Sequence, residues 1–139
     1  MDVGAIEQAL AEEMVLGWDI VPTGGGILIT TTWTMPNKER IEIHLRSVGE
    51  REDLYLVTDG GELFNMMFLH GWKLSEDKEG ADLVAGVAES HGAKVVDGQI
   101  VKGANDGNLG QAVRLILEAV KEASFLLWGK KAQGLSNLH

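Results

Sequence analysis

Residues 40–58 read Arg-Ile-Glu-Ile-His-Leu-Arg-Ser-Val-Gly-Glu-Arg-Glu-Asp-Leu-Tyr-Leu-Val-Thr, and their alternation decides the fold. Ile41, Ile43 and Leu45 alternate with Glu42, His44 and Arg46, and Leu54, Leu56 and Thr58 alternate with Asp53, Tyr55 and Val57. A period of two places each set on one face, so the stretch reads as two strands around a loop at Ser47–Glu52. Pairing Leu45 with Leu54 sets Ile43 against Leu56 and Ile41 against Thr58. On the other face it brings Arg46 to Asp53 and His44 to Tyr55. Every pair is compatible, which makes this the expected register.

Working backwards, the β-branched run Ile27 to Thr34 follows the breaker Pro22-Thr23-Gly24-Gly25-Gly26 and predicts a third strand, with Trp33 near Ile41 and Ile29 near Leu45. The short Trp18–Val21 run is a candidate fourth. Before it, Val3, Ile6, Leu10 and Met14 recur at helical spacing, predicting an amphipathic helix over 3–16 that Gly17 ends. Working forwards, Asp59-Gly60-Gly61-Glu62 has the form of a capping box, with Asp59 as N-cap, and opens a short helix over about 62–70. Ser75 starts a second helix, which Gly92 stops. Val96-Asp97-Gly98-Gln99 carries the Asp-Gly signature of a two-residue hairpin. Asn108 opens a last helix that runs to about Trp128.

The expectation is an α+β domain: a small antiparallel sheet of three to four strands covered by the N- and C-terminal helices. Two short central helices and the hairpin lie at its edge. Residues 1–129 form this single domain, and 130–139 a flexible C-terminal tail.

This succession resembles the bacterial and phage domain-of-unknown-function family 1828 over about residues 17–128. The resemblance is carried by Glu39-Arg40-Ile41-Glu42-Ile43, Val57-Thr58-Asp59-Gly60-Gly61-Glu62, His70-Gly71-Trp72-Lys73-Leu74 and Val96-Asp97-Gly98-Gln99-Ile100. The family often has Asp where this chain has Glu39, and Asp-Asp-Gly where it has Asp59-Gly60-Gly61. The resemblance implies the fold and a phage or mobile-element origin, and it brings no catalytic signature.

Composition narrows the function classes. The chain has 139 residues, 45% of them hydrophobic and 24% charged, which is globular and not disordered. Twelve Lys+Arg against 21 Asp+Glu leave a net charge of −9, so direct nucleic-acid binding is not expected. With no cysteine, thiol catalysis and Cys-ligated metals are excluded. Glu7, Glu12 and Glu13 at the start do not form a secretory signal. Arg114, Glu118, Lys121 and Glu122 interrupt the longest apolar stretch, so no membrane span and a cytoplasmic location are expected.

Three acids, Glu39, Asp59 and Glu62, are brought to one end of the sheet by the expected register. Hard divalent cations take oxygen ligands and lower the pKa of bound water, so the cluster is a candidate centre for a metal-dependent hydrolase or nuclease. The competing reading of Asp59 and Glu62 is a plain helix start. Gly60-Gly61 does not read as a phosphate cradle, because Asp59 already occupies the helix-start donors. His44, His70, His91 and His139 are dispersed, and no serine sits in a nucleophile turn.

The last helix carries an apolar arc of roughly 220°, wider than one sheet requires, and Phe125 projects among Arg114, Glu118 and Lys121. An aromatic on a charged face marks a partner surface. The leading expectation is therefore a non-enzymatic interaction module without a cofactor. It would be a homo-oligomeric regulator or inhibitor of another protein, with Phe125, Arg114, Glu118 and Lys121 as its contact surface. The alternative is the hydrolase at Glu39, Asp59 and Glu62.

Overall fold

A computed structural model describes residues 2–11 and 17–136 of the chain. Six strands form one antiparallel sheet: β1 (Asp19–Thr23), β2 (Gly26–Thr34), β3 (Arg40–Val48), β4 (Arg51–Thr58), β5 (Lys94–Val96) and β6 (Gln99–Asn105), in the order β1-β2-β3-β4-β6-β5. Among the described residues four α-helices accompany them: α1 (Val3–Ala9), α2 (Glu62–Leu69), α3 (Lys78–Ser90) and α4 (Leu109–Ser136). The α+β class stands, but the expected three- to four-stranded sheet is too small.

The missing strands have a physical origin. β4 in a three-stranded sheet would present a row of unpaired backbone groups, and β6 satisfies them by pairing Leu54 with Asn105 through Thr58 with Val101. The sequence of β6, Gln-Ile-Val-Lys-Gly-Ala-Asn, lacks the alternation that would announce a strand. The Asp97-Gly98 turn does form, with φ +49° and +75°, and its hairpin is integral to the sheet. At the other edge β1 pairs along its whole length with β2, from Asp19↔Thr30 to Thr23↔Gly26.

The expected β3–β4 register holds only at the turn, where Val48 pairs with Arg51. A bulge between Ser47 and Val48 then shifts the ladder, so that Ser47 faces Tyr55 and Leu45 faces Val57 in place of Leu54. The slip of three residues is odd, so it exchanges the faces of β4. Tyr55 and Val57 lie in the core at 4% and 0% exposure, while Leu54 and Leu56 are half-buried on the opposite face. Cross-strand compatibility does not separate the two registers, because Leu54/Leu56 and Tyr55/Val57 are both apolar sets. Tyr55 contributes a large ring to the core, and its hydroxyl donates to Asp106 at 2.6 Å, which pushes the phenol up to about 12. Ile41, Ile43 and Leu45 are buried as expected. The β2–β3 ladder pairs Ile29 with Ile43 and Ile27 with Leu45, an even slip from the expectation that leaves the apolar face unchanged.

Helix α4 lies across the core face and contacts β2, β3, β4 and β6, and α3 packs beside it. Val113, Ile116, Leu117, Val120 and Leu127 are fully buried or nearly so. The wide apolar arc is thus largely covered within the chain, by sheet on one side and α3 on the other. The helix continues past Trp128 and Gly129 to Ser136, so most of the expected tail is helical. Asp77, not Ser75, caps α3, accepting from the N–H groups of Glu79 and Gly80. Asp2 caps α1 at Gly4, and the expected extension of α1 through Met14 falls outside the described residues. No described helix is long and apolar enough to cross a membrane.

Candidate functional site

The chain leaves β4 through Thr58-Asp59-Gly60-Gly61 into α2, and this corner organises the polar residues of the sheet's half-buried face. Asp59 is fully buried. Its Oδ1 accepts from the N–H of Gly61 and from that of Ile100 on β6, both at 3.0 Å, and its Oδ2 accepts from Leu63 at 3.3 Å. The side chain is therefore a clamp between a helix start and a neighbouring strand. Gly61 and not Asp59 is the residue at the N-cap, and Glu62 does not reach back to close a capping box. Burial pushes the Asp59 carboxyl up, opposed by the three N–H groups it accepts.

Glu62 emerges on the half-buried face, its Oε1 3.9 Å from His44 Nε2. Glu42 lies against it and accepts from Thr30 Oγ1 at 3.2 Å. A half-buried pair of carboxyls favours retaining a proton, and Glu62 is raised first by burial and then by Glu42. His44 is raised by the Glu62 carboxylate beside it, against the opposing effect of burial, with further help from Glu42 and Asp59. Its ring occupies space that only glycine leaves open: a Cβ on Gly60, which has φ +68°, would lie 2.6 Å from the imidazole.

Of the three expected acids, Glu39 and Glu62 border one cleft together with Glu42, while Asp59 is turned away onto backbone amides. Among the described residues no group of three or more His, Cys, Asp or Glu could hold a metal ion. Sequence spacing missed Glu42 and His44 as neighbours of Glu62, because only the shifted register sets His44 opposite Thr58 at the corner. The other described histidines are held locally: His91 Nδ1 lies 2.8 Å from the Val87 carbonyl, and His70 meets the edge of Trp128 at 4.9 Å.

These groups set a pH dependence. An acid or histidine whose folded pKa is raised retains protons that the unfolded chain has released, so stability falls as pH rises through that interval. Glu62 and Asp59 act above their ordinary values of 4.5 and 3.8, and His44 acts above 6.5. Asp53, held down by Arg51, works in the opposite sense only below 3.8. The melting temperature should therefore decline as pH rises above 4.5, and further above 6.5, at constant ionic strength. His44→Asn should flatten the part of the decline above 6.5. A melting temperature that climbs over that range would refute the assignment.

A second assembly lies on α4. Arg114, Glu118, Lys121 and Phe125 do gather on one strip, and Arg114 Nε lies 3.5 Å from Glu118 Oε1. Phe125 is 49% exposed. Lys121 Nζ sits 5.5 Å from its ring centroid and 5.4 Å from that of Trp33, which Arg114 also approaches at 5.9 Å. Trp33, which follows the bulge in β2, is the member that sequence reasoning left out of this surface. Its only signal was a large aromatic near the end of a strand whose buried apolar residues are Ile27 and Ile29.

Comparison with known proteins gives no match to a family model, a curated protein or a solved structure.

Proposed function

We propose that the protein is a non-enzymatic interaction module that self-associates through the Phe125 strip of α4 and regulates or inhibits another protein. One observation carries this reading: a half-exposed phenylalanine is held in an ordered ladder with Lys121 and Trp33 and not folded against the core. Cation–π contacts of this kind are worth about 0.5–1 kcal/mol when exposed and more when desolvated, so burying the ladder against a partner strengthens it. The strip carries both charge signs, as a two-fold contact requires when the same patch meets itself. Phage or mobile-element origin belongs to the same proposal, through the family resemblance.

Light scattering tests it. The protein is expected to be oligomeric at tens of micromolar, and Phe125→Glu is expected to return it to a monomer with little change in melting temperature, because the side chain is not part of the core. A monomeric parent, or an oligomer untouched by Phe125→Glu, would remove the proposal.

A further inference from the structure

On the half-buried face, where the β1–β2 turn approaches the start of α2, there is a cleft of about 270 Å³. Thr23, His44, Arg46, Thr58 and Gln99 provide its polar side chains, and Gly25 and Gly60 its lips. Its hydrogen-bonding inventory is one-sided. Thr58 Oγ1 accepts from the Gly60 N–H at 3.0 Å and donates to Gln99 Oε1 at 2.9 Å, so the acceptors of Thr58 and Gln99 are already engaged. Beside the Thr23 hydroxyl, what remains is donors: the Gln99 amide nitrogen, the Arg46 guanidinium and His44 Nδ1, none of which has a partner among the described residues. Although the chain holds 21 acids against 12 Lys+Arg, no carboxylate lines this cleft among the described residues.

We propose that this cleft binds a small oxyanion-bearing ligand, a phosphate ester or a carboxylate, through Arg46, His44 and Gln99. Unpaired donors lining one cleft with a guanidinium match an anion that accepts from several directions, and charge-assisted bonds of this kind are the stronger ones. His44 offers its unpaired Nδ1, and Glu62, 3.9 Å from its Nε2, favours the imidazolium form. The lips are shaped by absence of bulk. A Cβ on Gly60 would collide with the His44 ring, and a Cβ on Gly25 would meet nothing within 4 Å, so the fold alone does not require glycine at 25. The volume exceeds that of a bare oxyanion, whose central atom and oxygens need little more than two waters at about 30 Å³ each. Room therefore remains for the group that carries it. This site is separate from the Phe125 strip and does not depend on self-association.

The test is an amide-resolved NMR titration of the full chain at fixed ionic strength, with inorganic phosphate, ribose 5-phosphate and succinate as probes against chloride. Saturable shifts at Gly25, His44, Gly60 and Gln99 are expected. A preference for the sugar phosphate would identify a phosphate ester, and a preference for succinate a carboxylate. Arg46 is exposed and has no partner among the described residues, so Arg46→Ala should fold normally and weaken binding about tenfold, equivalent to about 1.4 kcal/mol. Arg46→Lys should restore part of it. Affinity should also fall as pH rises past the His44 titration. No saturable shift with any probe at about 20 mM, or equal affinity in Arg46→Ala, would overturn the proposal.

Discussion

Asp59→Ala is expected to lower stability by about 3 kcal/mol, about 10 °C in melting temperature for a domain of this size, the largest effect of any single side-chain truncation on the polar face. Three N–H groups, of Gly61, Leu63 and Ile100, lose their acceptor together, and two of those hydrogen bonds are buried. Leaving a buried donor unpaired costs about 1–3 kcal/mol, and part of the sum is returned because the carboxylate itself is desolvated. Asp59→Asn separates the contributions. It keeps an acceptor for Gly61 and Ile100 but sets an amide nitrogen towards the Leu63 N–H, for a cost of about 1 kcal/mol. Chemical denaturation of the three proteins decides the matter. An alanine variant within about 0.5 kcal/mol of the parent, or an asparagine variant as damaged as alanine, would show that the clamp is not the role of this residue.

Gly26→Ala is expected to cost about 2–4 kcal/mol for a different reason. A Cβ there would lie 2.0 Å from the carbonyl oxygen of Leu45, in the β2–β3 ladder, and φ is +156°. The atom that must yield is backbone, so relief requires moving the strand and with it the paired Ile27 and Leu45. The neighbouring Gly25→Ala provides the control: its Cβ meets nothing within 4 Å, and the change should stay within about 0.5 kcal/mol. Equal damage at both positions would mean that turn flexibility, and not the contact with Leu45, fixes the glycine.

Local chemistry was legible where one signal governed the outcome. The Asp97-Gly98 turn, helix α2 and the burial of Ile41, Ile43 and Leu45 follow from turn propensity and alternation within a few residues. The β4 register was not legible, because Leu54/Leu56 and Tyr55/Val57 are both apolar sets and the choice belongs to a bulge next to the turn. The start of strand β6 was legible as the second arm of the Asp97-Gly98 hairpin, but its continuation was hidden by Lys102, Gly103 and Asn105, which are tolerated because backbone pairing with β4 holds residues 101–105. At the site, sequence placed Asp59 at the start of α2, but its third partner, Ile100, is 41 residues away and only the sheet order reveals it. The same limit separated His44 from Glu62. Phe125 and its charged neighbours were found because helical periodicity is reliable over a long segment, whereas Trp33 came from another element.

The insertion of β6 between β4 and β5 sets an order of events during synthesis. Strands β1 to β4 are joined by short turns and can pair as soon as they leave the ribosome, but the outer edge of β4 has no partner until residues 99–105 emerge. At ordinary elongation rates of about 5–20 residues per second, that edge stands open for several seconds while α2 and α3 are being made. The exposed segment is Leu54-Tyr55-Leu56-Val57-Thr58, uncharged, free of proline and rich in strand formers, the composition that recruits strands from other chains. The nascent chain is thus most vulnerable to aggregation in its middle third. Arrival of β6 ends that exposure in one step, since it closes the ladder and delivers the Ile100 N–H to the waiting Asp59.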